Sequence, residues 1–250
     1  MSELLTETVD GIRFLILNRP AKLNSLTVGL FGALWNEIKA IESDESIRCV
    51  VLKGAGRCFS AGHDLSDIEI GEKLPFANFQ ARTIERLANL PVPVVTAVHG
   101  HCYTGALELA LAGDIILASS DAKFADTHAK WALTPVWGLT QRLPRRVGWG
   151  KAREMFFTCR SYSGAEAEAM GLATACLPAE RFDAAVLEYC RSILANSSFS
   201  HRVHKRLLNE SDGLPLAAGL AREIYREDLH GPDMAERIAA FAARTKSTSA

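Results

Sequence analysis

The sequence predicts an α/β core followed by an α-helical extension. Apolar runs of strand length, bounded by Gly, Pro or Asn, alternate with stretches of helical spacing as far as Leu177. Beyond Pro178 only helical spacing remains, over roughly 179–197, 199–211, 214–230 and 232–245. The breaks fall at Asn196-Ser197-Ser198, Gly213-Leu214-Pro215 and Gly231-Pro232. With 250 residues, 48% of them apolar, the chain can bury one large core, or a core plus a small appendage. The expected division is 1–177 and 178–250.

Residues 3–9 and 12–18 are β-rich runs around Asp10-Gly11, a two-residue hairpin signal. Asn18-Arg19-Pro20 ends the second, and a loop reaches Leu26. Thr27 is placed to cap a helix running to Ser43, with Leu30, Leu34, Ile38 and Ile41 on one face. A buried strand at 48–53, a glycine-bearing loop at 54–62 and a short helix at 64–70 follow. A helix at 76–90 stops at Pro91. Past the central stretch come a strand at 123–125, an irregular segment at 126–138 and helices on either side of Gly148. Ser163 then caps a helix at 164–170 that Gly171 closes, and 173–177 is the last strand.

Residues 93–119 are the stretch the rest serves. An apolar strand at 94–98 meets Gly100 and a short turn. Thr104 and Gly105 open an apolar helix ending near Gly113, and a second apolar strand fills 114–119. Such a unit is buried on both faces. Glu108 is the only acidic or basic side chain between His101 and Asp114. A carboxylate in an Ala/Leu run is costly unless it is paired or used. Gly105, three residues earlier on the same face, carries a helix-start N–H with no partner inside the helix. A donor that can polarise a carbonyl and an acid that can move a proton beside it therefore point at one space. The other reading of Glu108 is a helix-start acid that completes the dipole.

A net charge of −1 implies no polyelectrolyte partner, and Arg142–Arg146 is too short a basic cluster for nucleic acid. No apolar run reaches the roughly 18 residues of a membrane span. The polar start MSELLTETVDG lacks the order of a signal peptide. Six cysteines without a C-x-x-C pair, and histidines without an H-x-x-x-H pattern, indicate a reduced, cytoplasmic protein with no structural metal.

Five collinear motifs carry a family resemblance: Asn18-Arg19-Pro20 with Leu23-Asn24-Ser25-Leu26; Cys58 through Leu65 (CFSAGHDL); Gly105-x-x-Glu108-Leu109-Ala110; Gly113-Asp114; and Thr140-Gln141-Arg142-Leu143. In these the chain resembles the crotonase superfamily, the enoyl-CoA hydratase/isomerase family, from the first hairpin to about Phe241. The resemblance implies a crotonase-like ββα spiral core and an α-helical C-terminal trimerisation region, assembled as homotrimers or dimers of trimers. It implies an acyl-CoA thioester substrate and no cofactor beyond the coenzyme A that enters with it. The thioester oxygen would sit in an oxyanion hole made by the backbone N–H groups of His63 and Gly105. The His63 imidazole is either a solvated loop side chain or a group at the pocket mouth. Coenzyme A contacts carry over to Lys22, Leu23, Ser25, Ser60, Ala61, His63, Asp64 and Leu65, and from a neighbouring subunit to Phe241 and Arg244. Trp131, Leu133 and Trp137, on the Pro135 and Gly138 framework, would line an acyl pocket that is short or suited to a flat group; core packing is the alternative.

The family's hydratases use two glutamates. The first matches Glu108; ungapped counting from Phe124 or from Thr140 places the second at His128, and residues 124–138 hold no glutamate. An imidazole titrates near neutrality, so a carboxylate–imidazole pair can still exchange protons. The reading that follows is a lyase resembling enoyl-CoA hydratase, with Glu108 as acid/base and His128 holding or activating water. Isomerisation, C–C hydrolysis or decarboxylation through the same enolate is the second reading. A non-catalytic CoA-thioester-binding protein is the third, against which the retained Glu108 argues. Asp126 is expected to face solvent, with orientation of His128 as the alternative.

Overall fold

The structure, a computed structural model, describes residues 2–71 and 73–248. Asp10 and Gly11 take φ of 54° and 83°, the conformation a two-residue hairpin turn requires. Across the turn β1 (Leu4–Val9) and β2 (Ile12–Leu17) pair antiparallel. All later strands of this sheet add in parallel. β3 (Cys49–Gly54) joins β2, β4 (Val94–Val98) joins β3, β6 (Ile115–Ser119) joins β4, and β9 (Ala175–Leu177) joins β6. All five residues of β4 are buried, as the continuous apolar run predicts.

Helix α1 (Val28–Glu42) starts where Thr27 accepts a hydrogen bond from the Leu30 amide, and it buries Leu30, Phe31, Leu34, Ile38 and Ile41. Each such side chain contributes roughly 1.5–3 kcal/mol on burial. Asp64 caps the short α2 (Leu65–Ile70) through the Ser66 amide. Helix α3 covers Phe79–Ala88, shorter than expected, because Phe76 packs as a ring against Trp35 and Phe79 outside any helix. α4 is Gly105–Ala110. α5 (Leu139–Thr158) is one run with a break at Gly148, where φ is 76°. α6 (Gly164–Ala169) carries the Ser163/Glu166 capping box.

One strand was not expected from the sequence. His101–Tyr103, expected as part of a turn, is a strand, β5. It pairs in parallel with β7 (Lys123–Ala125), which pairs antiparallel with β8 (Tyr162–Ser163). Single bridges at Leu26–His63 and Ser60–Cys102 tie the two earlier loops to this small sheet. Three residues are too few to show strand periodicity, and long-range pairing is what makes them a strand.

The chain forms two compact units that meet at Arg191/Ser192, beyond the expected 177. Helix α7 (Phe182–Leu194) accounts for the difference: its Phe182, Val186 and Cys190 are buried. The second unit contains α8 (Ser198–Ser211), α9 (Leu216–Ile224) and α10 (Met234–Thr248). The mixed α/β core and the helical C-terminal region are therefore both present. No helix among the described residues is long and apolar enough to cross a membrane.

Candidate active site

The small sheet explains why distant residues meet. Tyr103 stands opposite Ala125 in the β5–β7 register. The next residues on each strand, Thr104-Gly105 and Asp126-Thr127-His128, therefore leave the sheet side by side. The Ser60–Cys102 bridge brings the 58–65 loop alongside β5, and the Leu26–His63 bridge ties the preceding loop to it. A Cβ built on Gly105 would lie 3.3 Å from the His63 amide nitrogen and 2.6 Å from Cζ3 of Trp137. Only glycine fits there, and the two amides expected to form the oxyanion hole lie close together. Gly105 is the first residue of α4, so its N–H has no acceptor within the helix.

Glu108 is 1% exposed. Its Oε1 accepts hydrogen bonds from the Trp137 amide (2.8 Å) and the Leu139 amide (3.2 Å). Gly138, at φ 106°, turns the chain so that both amides converge at the start of α5. Burial raises the Glu108 pKa above the usual carboxylate value. The two amides and His128 oppose the rise, and Asp126 adds to it. With Oε1 occupied, Oε2 remains for chemistry.

His128 faces that oxygen: its Nε2 lies 3.8 Å from Glu108 Oε2. That gap is too long for a direct hydrogen bond. Asp126, expected to face solvent, is instead 2% exposed and 2.6 Å from His128 Nδ1, and its Oδ1 also accepts from the His128 amide at 3.2 Å. This corrects the sequence reading: the chain is irregular between β7 and the helical turn at His128–Trp131, so spacing of two residues gave no face to judge by. A carboxylate on Nδ1 makes that nitrogen the donor, so the neutral form of the imidazole presents Nε2 as an acceptor towards Glu108.

The cavity between them has a volume of about 630 Å³. Ala61, His63, Leu65, Trp131, Leu133 and Trp137 are among its lining residues, with Thr104 and with Tyr103, Thr127 and Lys130, for which the sequence suggested no role at the site. Trp137 is 5% exposed and packs against His63 (ring centroids 4.7 Å) and Phe31 (5.0 Å). Trp131 is 57% exposed. Pro135 is not among the lining residues.

The remaining expected contacts bond chiefly to one another. Asp64 Oδ2 accepts from Ser25 Oγ and Arg19 Nη1, each at 2.9 Å. Ser60 Oγ donates to the Asn24 carbonyl (2.8 Å) and accepts from the Gly62 amide (3.1 Å). Leu23, at φ 51°, accepts the Ala61 amide on its carbonyl. Fully buried Asn24 pins the two loops by donating to the Ala55 and Cys58 carbonyls, both at 2.8 Å. Lys22 is exposed beside them. In the second unit Phe241 is 72% exposed, and the Arg244 side chain lies outside the described residues.

A protein-family model described as enoyl-CoA hydratase/isomerase matches residues 7–247. The chain belongs to this family. Its members act on acyl-CoA thioesters. Mitochondrial methylglutaconyl-CoA hydratase from Rattus norvegicus is 36% identical over 95% of this chain and 78% of its own. The 1,2-epoxyphenylacetyl-CoA isomerase of Escherichia coli is 31% identical over 98% of this chain and 97% of its own. Among solved structures, an enoyl-CoA hydratase from Bacillus anthracis superposes with a TM-score of 0.89 at 30% identity, covering 97% of this chain and 96% of that one. The enoyl-CoA hydratase/isomerase fold is thus established for this enzyme.

Proposed function

We propose that the enzyme adds water across the 2,3-double bond of a 2-enoyl-CoA. One observation carries the reading: Glu108 Oε2 and His128 Nε2 face each other at 3.8 Å in the cavity, close enough for one water oxygen to lie about 2.8 Å from both. The amides of His63 and Gly105 bind the thioester oxygen and draw electron density from C3. His128, held by Asp126 with Nε2 free to accept, takes a proton as the water oxygen bonds to C3. The electron pair of the double bond moves onto the thioester oxygen. Glu108, kept neutral more readily by its burial, gives its proton to C2 as the enolate collapses. Proton return from His128 to Glu108 resets the site.

The two loops carrying Lys22, Leu23, Ser25, Ser60, Ala61, Asp64 and Leu65 are the proposed coenzyme A face, with contacts made largely by main chain because Ser25 bonds to Asp64 and Ser60 bonds to the Asn24 carbonyl and the Gly62 amide. No cofactor is required, since coenzyme A arrives with the substrate. The C-terminal helices are the proposed trimerisation region, bringing Phe241 and Arg244 towards a neighbour's coenzyme A. Exposed Leu216, Ile224, Ile238 and Phe241 on α9 and α10 support this. Six free cysteines suit a reducing, cytoplasmic setting.

A second reading, isomerisation of an acyl-CoA, has support from the likeness to the E. coli 1,2-epoxyphenylacetyl-CoA isomerase and from Glu108 being the one carboxylate among the residues lining the cavity. Turnover of a panel of 2-enoyl-CoAs in ¹⁸O-water separates the two. Hydration places the heavy oxygen at C3 of the product. A product without label would leave isomerisation or another enolate reaction.

A further inference from the structure

Thr104 adopts φ 54° and ψ −111°. That region is natural for glycine and strained for a β-branched residue. Strain of this kind persists only where surrounding contacts impose it, and here three bonds do. The Thr104 amide donates to the Ala125 carbonyl at 2.9 Å. The Thr127 amide donates to Thr104 Oγ1 at 3.2 Å. Thr104 Oγ1 and Thr127 Oγ1 lie 2.5 Å apart, one donating to the other. Both threonines border the cavity.

Their places in the chain give the pair its meaning. Thr104 immediately precedes Gly105, and Thr127 lies between Asp126 and His128. The β5–β7 ladder ends at Tyr103 and Ala125. Beyond it, the two segments diverge, one into α4 with Glu108 and the other into the helical turn that starts at His128. The hydroxyl pair, with the Thr127 amide on the same Thr104 oxygen, bonds the two segments across that divergence.

We infer that Thr104 and Thr127 are positioning residues, a hydroxyl clasp that fixes the Gly105 N–H relative to the Asp126–His128 pair so that the acyl group is polarised and attacked in one geometry. The inference rests on the reading of Gly105 as oxyanion donor and His128 as base. The clasp aligns the groups without itself exchanging a proton with substrate. Losing it therefore acts on the reacting geometry more than on coenzyme A binding, and a misplacement of about 1 Å is enough to cost up to ~10² in rate.

Cinnamoyl-CoA supplies a readout independent of turnover, because its conjugated thioester absorbs further to the red when hydrogen bonds polarise the carbonyl. Thr127→Val removes the 2.5 Å bond while keeping shape and the amide bond to Thr104; Thr127→Ser restores a hydroxyl; Thr104→Val tests the other partner. The wild-type enzyme should red-shift bound cinnamoyl-CoA. Thr127→Val and Thr104→Val should bind it with nearly unchanged affinity, lose much of the shift, and lower kcat on the enzyme's own enoyl-CoA about tenfold, with KM little changed. Thr127→Ser should recover both. A full red shift and unchanged kcat in folded Thr127→Val would overturn the clasp while leaving the oxyanion reading intact. A wild-type enzyme that binds cinnamoyl-CoA without any red shift would instead remove the oxyanion reading itself, and the clasp with it.

Discussion

Glu108 and His128 face one another across 3.8 Å, but they are held in different ways. Glu108 is fixed by main chain, through the Trp137 and Leu139 amides that Gly138 turns towards it. His128 is fixed by a side chain, through Asp126 on Nδ1. The first support persists through any side-chain change that preserves the loop. The second vanishes with one carboxylate. The contrast separates what the fold imposes from what one residue supplies, and each wall can be broken on its own.

The largest effect is expected on the Glu108 wall. Glu108→Gln keeps the shape and the acceptor for both amides but removes the transferable proton. Turnover should fall by at least ~10² with acyl-CoA affinity nearly unchanged. Steady-state kinetics with equilibrium binding would show it, and near-wild-type turnover would mean that Glu108 is structural. On the other wall, Asp126→Asn leaves His128 in place but no longer fixes its tautomer, and the loss should be about 10–100-fold, in kcat more than in KM.

A smaller effect separates the walls by stability. Burial raises the Glu108 pKa in the folded chain above its ordinary 4.5. The stability contributed by the neutral acid is complete below pH 4.5 and is lost as pH rises through the raised value. Glu108→Gln cannot ionise, so its urea midpoint should gain on the wild type as pH climbs from 4.5 towards neutrality. A difference that does not vary with pH would show that Glu108 ionises as freely in the fold as outside it.

The two walls were also unequally legible. Glu108 stood out because one carboxylate in an Ala/Leu run violates local patterning, and its helix start was marked by Gly105. The donors that hold it are 29 and 31 residues away, and no local pattern could announce them. His128 was placed by its register against Phe124 and Thr140, yet its partner Asp126 was misjudged. Burial of Asp126 follows from β5–β7 pairing, and β5 is three residues that read as turn. Most helices and the large sheet were readable from period and caps. Helix ends were less so, as in 214–230, where α9 covers only Leu216–Ile224 and Arg226 bonds to Asp228 beyond it. Ser25, Ser60 and Asp64 were named by the resemblance alone; that their side chains tie the loops together was not legible, because their partners depend on how the two loops meet.

The central claim is that both walls act on one water. A double-mutant cycle on kcat/KM with Glu108→Gln, His128→Ala and the pair tests it most directly, using the enoyl-CoA that gains label from ¹⁸O-water. Residues that act as a unit are strongly non-additive. The double variant should therefore be scarcely slower than the slower single variant. Two losses that multiply independently would contradict a shared water and would leave His128 as a neighbour of the chemistry instead of a participant.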